Sequence, residues 1–305
     1  MNSSTRSMAG GTIGAEPVPN DPTGSVRWWV IASVAALVLA ACSSASTPGS
    51  SGVSTGATSV SPDATQSSPP APVTAPALDC EGAANARAIW FQAADGTRLY
   101  GAIIGSGRVG VVVANDVPHP LCETLTVARL LGGHGNRVLV FDYRDRGNSD
   151  ASDAPGRLDQ DVAGAVDELR SRGVARVILL GSYAGVAAAV VAATEIDPPV
   201  DGVIGISPAA VRGQWVEGPF GPIGAFQAAP RLRVPALYIT VRSDRYVSLG
   251  EVRRLYRLTA SPDKDLVVIP SGSGGFDSID FSSYEGRVRD AILSFVRHVA
   301  GVQPS

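Results

Sequence analysis

The chain has 305 residues, of which 45% are hydrophobic and 17% charged, a composition that suits a globular protein with a buried core. Its formal net charge of −3 supplies no basic excess to neutralise phosphates, which excludes nucleic-acid binding as a main function. With three histidines and three cysteines in the whole chain, we predict no metal site and no cofactor.

The first segment has the pattern of an export signal. An uncharged apolar run extends over residues 28–41, and its 14 residues are fewer than the roughly 20 that a membrane-spanning helix needs. The run ends in Leu-Ala-Ala followed by Cys42, which resembles the bacterial lipobox, where cleavage precedes a cysteine that carries lipid. We predict a lipoprotein signal peptide over 1–41 and a lipid anchor at Cys42, which would hold an exported protein on the extracytoplasmic face of the cell membrane. An ordinary secretory signal is the alternative.

The next segment, residues 42–78, is too polar to build a core. Between residues 43 and 78, 24 of 36 residues are Ser, Thr, Pro or Gly, and Asp63 is the only charge. Such a segment buries too little apolar surface to offset its ordering entropy. We predict a disordered tether over 42–78, followed by a folded domain over 79–303.

Two cysteines remain once Cys42 is lipidated, Cys80 and Cys122. In an exported protein they can form a disulfide. The bridge would close a loop of 43 residues, which is worth about 4 kcal/mol on the chain-entropy estimate. Two free buried thiols are the alternative.

The domain alternates short apolar runs with longer helical stretches, which predicts an α/β fold: a mostly parallel eight-stranded sheet with helices on both faces. A turn at Asp95-Gly96 makes the first two strands an antiparallel hairpin at the sheet edge. The Gly/Pro-rich segment 207–230 leaves room for only a minimal cap. The predicted strands are 87–91, 99–104, 109–114, 138–141, 177–180, 203–206, 237–241 and 266–269, and the predicted helices are 122–131, 158–171, 184–194, 249–258 and 284–299.

Several motifs in this order resemble those of the α/β-hydrolase family, which includes esterases and lipases. Residues 179–185, Leu-Leu-Gly-Ser-Tyr-Ala-Gly, resemble the family's nucleophile elbow, the sharp turn between a strand and a helix. Residues 141–144, Phe-Asp-Tyr-Arg, followed by Gly-Asn-Ser at 147–149, resemble the stretch after the family's fourth strand. The resemblance extends over about residues 86–299 and implies an α/β-hydrolase fold with an esterase/lipase-like domain.

The resemblance places a tyrosine at the nucleophile position. In the family pattern G-x-S-x-G, the glycines correspond to Gly181 and Gly185, so the middle position is Tyr183. Ser182 is displaced by one residue and is a nucleophile only if the elbow is shifted. A tyrosine nucleophile would need a base, because its pKa is about 10.

The histidine position is substituted as well. After the eighth strand the family carries a histidine where this chain has Gly274, whereas the acid position is retained as Asp244. An acid without a histidine has nothing to orient. His119, in the loop after the third strand, is the one histidine placed to approach the site, and an exposed loop histidine is its alternative reading.

The oxyanion loop also departs from the family, which often has His-Gly where this chain has Asn115-Asp116. If the Asp116 carboxylate faces the pocket, its charge opposes a developing oxyanion; alternatively, it caps the next turn and faces water. The backbone N–H of Ala184 remains as a donor.

Three functions fit these residues. The first is a surface-tethered hydrolase-like protein that has lost its triad and binds a small molecule or an envelope partner. The second is an active ester or thioester hydrolase that uses Ser182 in a shifted elbow. The third is a structural envelope protein whose old pocket is filled by Tyr183.

Overall fold

The computed structural model describes residues 74–154, 156–209, 224–280 and 285–301. The predicted signal peptide, Cys42 and most of the predicted tether lie outside these residues, as does 210–223 of the predicted cap. Within the described ranges no helix combines the length and the apolarity needed to cross a membrane.

The described residues build one eight-stranded sheet in the order β1-β2-β4-β3-β5-β6-β7-β8. Strand β2 is antiparallel to both of its neighbours, and the remaining pairs are parallel. The parallel strands are buried on both faces, which explains their continuous Val, Ile and Leu runs. The strands are β1 (Ala86–Gln92), β2 (Arg98–Ile104), β3 (Val109–Ala114), β4 (Arg137–Phe141), β5 (Arg176–Ser182), β6 (Gly202–Ile206), β7 (Ala236–Val241) and β8 (Lys264–Ile269).

Helices cover both faces of the sheet. One buried cluster joins the sheet to α2, α3, α4 and α5, and the other joins it to α1 and α7. Helix α3 is apolar all round because it lies between the sheet and α2. The helices are α1 (Leu125–Gly133), α2 (Leu158–Ser171), α3 (Ala184–Ala193), α4 (Ala225–Ala228), α5 (Leu249–Leu258), α6 (Asp277–Asp280) and α7 (Glu285–Ala300).

This architecture confirms the predicted α/β fold with its edge hairpin. The observed strands extend the predicted apolar runs by up to two residues, because the ladder includes polar ends such as Arg137 and Ser182. The short helices α4 and α6 have four residues each, too few for a helical period to be visible in the sequence.

The motif after β4 stabilises the loop that follows it. Asp142 is buried and accepts hydrogen bonds from the backbone N–H groups of Leu121 (2.9 Å) and Asn148 (3.2 Å). Gly147 has a φ of 51°, and a Cβ there would overlap the Asp142 carboxylate. The motif therefore joins the loop after β3 to the loop after β4 where the parallel strands end, and the elbow lies at the same ends of the strands.

The chain before β1 packs against the domain. Cys80 and Cys122 are joined in a disulfide, with a sulfur separation of 2.21 Å and Cα atoms 5.8 Å apart. The hydroxyl of Tyr100 donates to the Pro76 carbonyl (2.8 Å), and Leu78 packs on the core. Ala75 and Leu78, at the end of the predicted tether, thus pack against the folded domain, whereas Pro76 and Ala77 are exposed.

Candidate functional site

The turn between β5 and α3 places Tyr183 at its apex. Tyr183 has φ 47° and ψ −114°, a strained backbone conformation for a residue with a side chain, and its neighbours return to strand and helix. A Cβ on Gly181 would lie 2.6 Å from Val186 Cα, and one on Gly185 would overlap the Ala114 carbonyl. The two glycines therefore permit the close approach of strand and helix that a nucleophile elbow requires.

The Tyr183 side chain lies in the cleft above the sheet. Its ring is half-buried and makes an edge-to-face contact with Tyr246, with ring centroids 5.9 Å apart. Burial raises the pKa of the Tyr183 phenol well above its ordinary value of 10, and the Asp244 carboxylate adds to the rise. The phenol is therefore neutral across the physiological pH range.

The acid position, Asp244, is bound to groups other than a histidine. Its Oδ2 accepts from the Ser207 hydroxyl (2.7 Å), and its Oδ1 accepts from the backbone N–H groups of Tyr246 (2.9 Å) and Val247 (3.2 Å). Ser207 in turn accepts from the Gly275 N–H at 2.9 Å. This chain of contacts ties β6, the loop after β7 and the loop after β8 together. A hydrogen bond between the Ser207 side chain and the Tyr183 phenol connects the apex residue to it.

The histidine position, Gly274, lies directly against the two other positions. A Cβ on Gly274 would overlap both Asp244 Oδ2 and the Tyr183 hydroxyl. A Cβ on the next residue, Gly275, would overlap the Tyr183 ring and lie 3.0 Å from Ser182 Oγ. Side chains larger than glycine are therefore excluded at these two positions of the loop after β8, because the tyrosine fills the space that a histidine would need.

The candidate oxyanion donors are already occupied by side chains of the loop after β3. The Ala184 N–H donates to Asp116 Oδ1 at 3.3 Å, and the Asp116 N–H donates to Asn115 Oδ1 at 2.8 Å. Asp116 also accepts from the Val117 N–H at 3.1 Å. Burial raises the pKa of Asp116 above its ordinary value of 3.8. Of the two readings of Asp116, the structure has the carboxylate facing the elbow, and the Ala184 N–H expected as a free donor is not free.

Each histidine has its partner elsewhere. His119 Nδ1 lies 2.5 Å from Glu123 Oε2, and the His119 side chain is 48% exposed at the mouth of the cleft. His134 bonds the Leu130 carbonyl, and His298 bonds Asp263. In the part of the chain that the structure describes, no hydrogen bond joins a histidine to Tyr183 or Ser182.

Ser182 does not reach the apex. It is the last residue of β5 and is 2% exposed, and its Oγ lies beside Gly275 at the base of the cleft that it helps to line. Ser182 is thus almost fully buried, whereas Tyr183, the next residue along the turn, is half-buried.

The cleft at the elbow is small, with a volume of about 80 Å³. The described residues contain no group of three or more His, Cys, Asp or Glu side chains arranged to hold a metal ion. A cleft of this size accepts a small chemical group, because pockets for drug-sized ligands measure about 300 to 1,000 Å³. It is lined by Asn115, Asp116, His119, Glu123, Ser182, Tyr183, Gly274, Phe276 and Asp277.

Esterases and lipases are among the known structures with this arrangement of strands and helices. An esterase from Pyrococcus furiosus has 18% identity and a TM-score of 0.64, covering 75% of this chain and 98% of the esterase. A monoacylglycerol lipase from Paleococcus ferrophilus has 16% identity and a TM-score of 0.55 over 66% of this chain and 99% of the lipase. An esterase from Exiguobacterium antarcticum has 18% identity and a TM-score of 0.56, covering 68% and 98% of the two chains.

No protein-family model and no curated protein matches the sequence. Likeness at this level of identity shows the fold. The predicted α/β-hydrolase fold is therefore confirmed, and the chain carries a hydrolase-like domain whose elbow presents a tyrosine.

Ser207, Glu123 and Tyr246 are among the site residues that the sequence analysis does not name, as are Phe276 and Asp277. Ser207 and Glu123 carry no motif, and their roles depend on contacts with Asp244 and His119 that only the folded chain creates. Tyr246 is 70% exposed, and its position two residues after Asp244 is the one signal that could have indicated it.

Proposed function

We propose that the protein is an exported, lipid-anchored protein whose α/β-hydrolase-like domain has lost hydrolysis and acts by binding. The observation that carries the proposal is the tyrosine at the elbow apex, with Gly274 beside it at the position of the histidine. Loss of either the nucleophile or the base of a triad costs about 10⁶ in rate, because the members act as one unit.

The electrostatics of the cleft oppose covalent catalysis by Tyr183. Three carboxylates, those of Asp244, Asp277 and Asp116, all raise the pKa of the phenol, in addition to the larger effect of burial. A phenolate nucleophile would form against both effects, which the hydrogen bond with Ser207 offsets only in part, since the pKa remains raised. Within the described ranges no histidine bonds to the hydroxyl. The geometry therefore favours a neutral phenol that packs and donates a hydrogen bond.

The oxyanion contacts support the same conclusion. Donors in an oxyanion hole are worth about 3 to 4 kcal/mol each in lowering the barrier to acyl transfer. Here the Ala184 N–H already has a carboxylate acceptor, Asp116. A substrate oxyanion would have to displace that carboxylate and remain beside its charge.

The alternative of an active hydrolase using Ser182 has less support. Its hydroxyl is nearly inaccessible, and all three histidines bond other groups. The alternative of a filled pocket has one observation in its favour, since Tyr183 and Phe276 leave only about 80 Å³ at the elbow. We infer that this cleft takes at most a small neutral or positively charged group, because its lining carboxylates repel anions.

A fluorophosphonate probe tests the loss of hydrolysis, because it labels activated serines covalently. Purified wild-type protein, Ser182→Ala and an active esterase as positive control are incubated with the probe and digested for mass spectrometry. We expect labelling of the esterase alone. Labelling of wild type at Ser182, absent from Ser182→Ala, would overturn the proposal.

A further inference from the structure

A polar groove of about 450 Å³ lies at the amino-terminal ends of the parallel strands, on the side of the sheet opposite the elbow. It is formed where β1 begins, β2 ends and β4 begins, whereas the elbow follows the end of β5. Its volume falls within the range of small-molecule sites and is several times that of the elbow cleft. The side chains of Arg87, Arg137 and Arg172 all line it.

The positive charge of this groove is only partly neutralised. Arg172 forms an ion pair with Glu168. Arg137 donates to two backbone carbonyls, those of Arg172 and Ser106 (3.0 Å to the latter), which orient its guanidinium without cancelling its charge. Arg87 is exposed, and no described residue forms a hydrogen bond or an ion pair with its side chain. Two guanidinium charges therefore remain without a carboxylate among the described residues.

Further donors stand on the rim. The side chains of Asn85 and Ser106 both line the groove, and the described residues offer neither of them a hydrogen-bond partner. The rim is held in shape by backbone geometry, since Gly105 has a φ of 77° and a Cβ there would overlap the Asn136 carbonyl. The groove thus combines one oriented guanidinium group, that of Arg137, with the unpaired guanidinium of Arg87 and two neutral donors that have no partner among the described residues.

We propose that this groove binds the phosphate group of a polyol phosphate. Guanidinium groups pair with phosphate through two parallel N–H···O bonds, which suits the unpaired Arg87 and the fixed Arg137. The volume exceeds that of a lone phosphate, and the amide of Asn85 and the hydroxyl of Ser106 complement ligand hydroxyl groups. The proposal is independent of the loss of hydrolysis, because none of these residues contacts the elbow.

The test compares two exposed arginines. Arg87→Gln removes a groove charge, and Arg253→Gln removes the same charge from α5, beside β7 and β8 at the other end of the sheet order. Neither side chain has a bonding partner among the described residues, so both variants should fold. Binding of glycerol phosphate, inorganic phosphate and uncharged glycerol to the full chain is measured by calorimetry at low and high salt. Vesicles of phosphatidylglycerol and of phosphatidylcholine form a parallel arm.

We expect glycerol phosphate to bind more tightly than inorganic phosphate, glycerol not to bind, and added salt to weaken the interaction. Arg87→Gln should reduce the affinity at least about tenfold, because it removes one charge-assisted hydrogen-bonded pair. Arg87→Lys should have an intermediate affinity, and Arg253→Gln should bind as wild type does. If the ligand is a lipid headgroup, the same variant pattern appears with phosphatidylglycerol vesicles only. Absence of binding in both arms, or equal effects of the two Gln substitutions, would overturn the proposal.

Discussion

Tyr183 and Gly274 occupy complementary space at the elbow. The phenol hydroxyl and the Asp244 carboxylate take the volume that any side chain at position 274 would need. A change at one position therefore alters what the other can accommodate, and substitutions here should not act independently.

We expect Gly274→Ala to lower the free energy of unfolding by about 1 to 3 kcal/mol, the usual cost of inserting a methyl group into packed space. Tyr183→Phe should reduce that cost, because it removes one of the two overlapping groups. Gly286→Ala is the control, since a Cβ there meets nothing within 4 Å. Denaturant unfolding of the single and double variants gives the coupling, and strictly additive effects would refute the shared-space account.

Asp116 is a buried carboxylate whose charge is unfavourable where it lies. Because its folded pKa is raised above the ordinary value of 3.8, the folded state binds its proton more readily, and stability is lost as pH rises through the folded pKa. Asp116→Asn keeps an acceptor for Ala184 and Val117 while removing the charge. We expect the variant to melt about 2–4 °C higher at pH 7.5. This is the shift that a gain of about 1 kcal/mol in the free energy of unfolding produces in a domain of this size.

The pH dependence of the melting temperature distinguishes the removal of the Asp116 charge from a stabilisation that is independent of charge. The difference between Asp116→Asn and wild type should shrink as the pH falls through the raised folded pKa of Asp116, because the wild-type carboxyl then becomes protonated. Glu81→Gln, an exposed acid-to-amide change in the segment before β1, serves as control. A variant that melts below wild type at pH 7.5 would show that the carboxylate charge is favourable there.

At the scale of elements, the disulfide joins the segment before β1 to the helical turn Leu121–Thr124 that precedes α1. On the chain-entropy estimate, the 43-residue loop gives about 4 kcal/mol of stability. Cys80→Ala, Cys122→Ala and the double variant should lose similar amounts, because each removes the same bond. Mass spectrometry of a non-reduced digest checks the bridge, and alkylation of both cysteines without prior reduction would rule it out.

The sequence predicted the elements whose pattern is local. The apolar runs of β3 and β7 and the helical period of α2 are visible in short windows, and the glycines at 181 and 185 fix the apex residue. The hydrogen-bond partners at the site could not be predicted from the sequence in the same way. Whether Asp116 faces water or the Ala184 N–H depends on where the loop after β3 meets α3, a contact 68 residues apart in the chain.

At the scale of the whole molecule, attachment to the membrane rests on the sequence before residue 74. We expect the mature protein in membrane fractions with lipid on Cys42, because the lipobox-like sequence directs cleavage before that residue. Cys42→Ala should release the protein or leave the precursor uncleaved, whereas Ser43→Ala should change neither. A fully processed, membrane-bound Cys42→Ala product would contradict the assignment.

The two ends of the sheet differ in charge and shape. The elbow edge presents a small cleft lined by carboxylates, and the opposite edge presents a larger groove lined by arginines. The proposed binding function would use the hydrolase scaffold for these two surfaces, since a fold does not by itself fix a function.

The proposed loss of catalysis is tested most directly by the turnover of short-chain aryl esters at neutral pH. Wild type, Ser182→Ala, Tyr183→Ser and Tyr183→Ser with His119→Ala are assayed beside an active esterase. We predict no turnover above the protein-free rate for any of the four, because Gly274 supplies no base and Asp116 occupies the oxyanion donor. Wild-type turnover abolished by Ser182→Ala, or Tyr183→Ser turnover abolished by His119→Ala, would contradict the account.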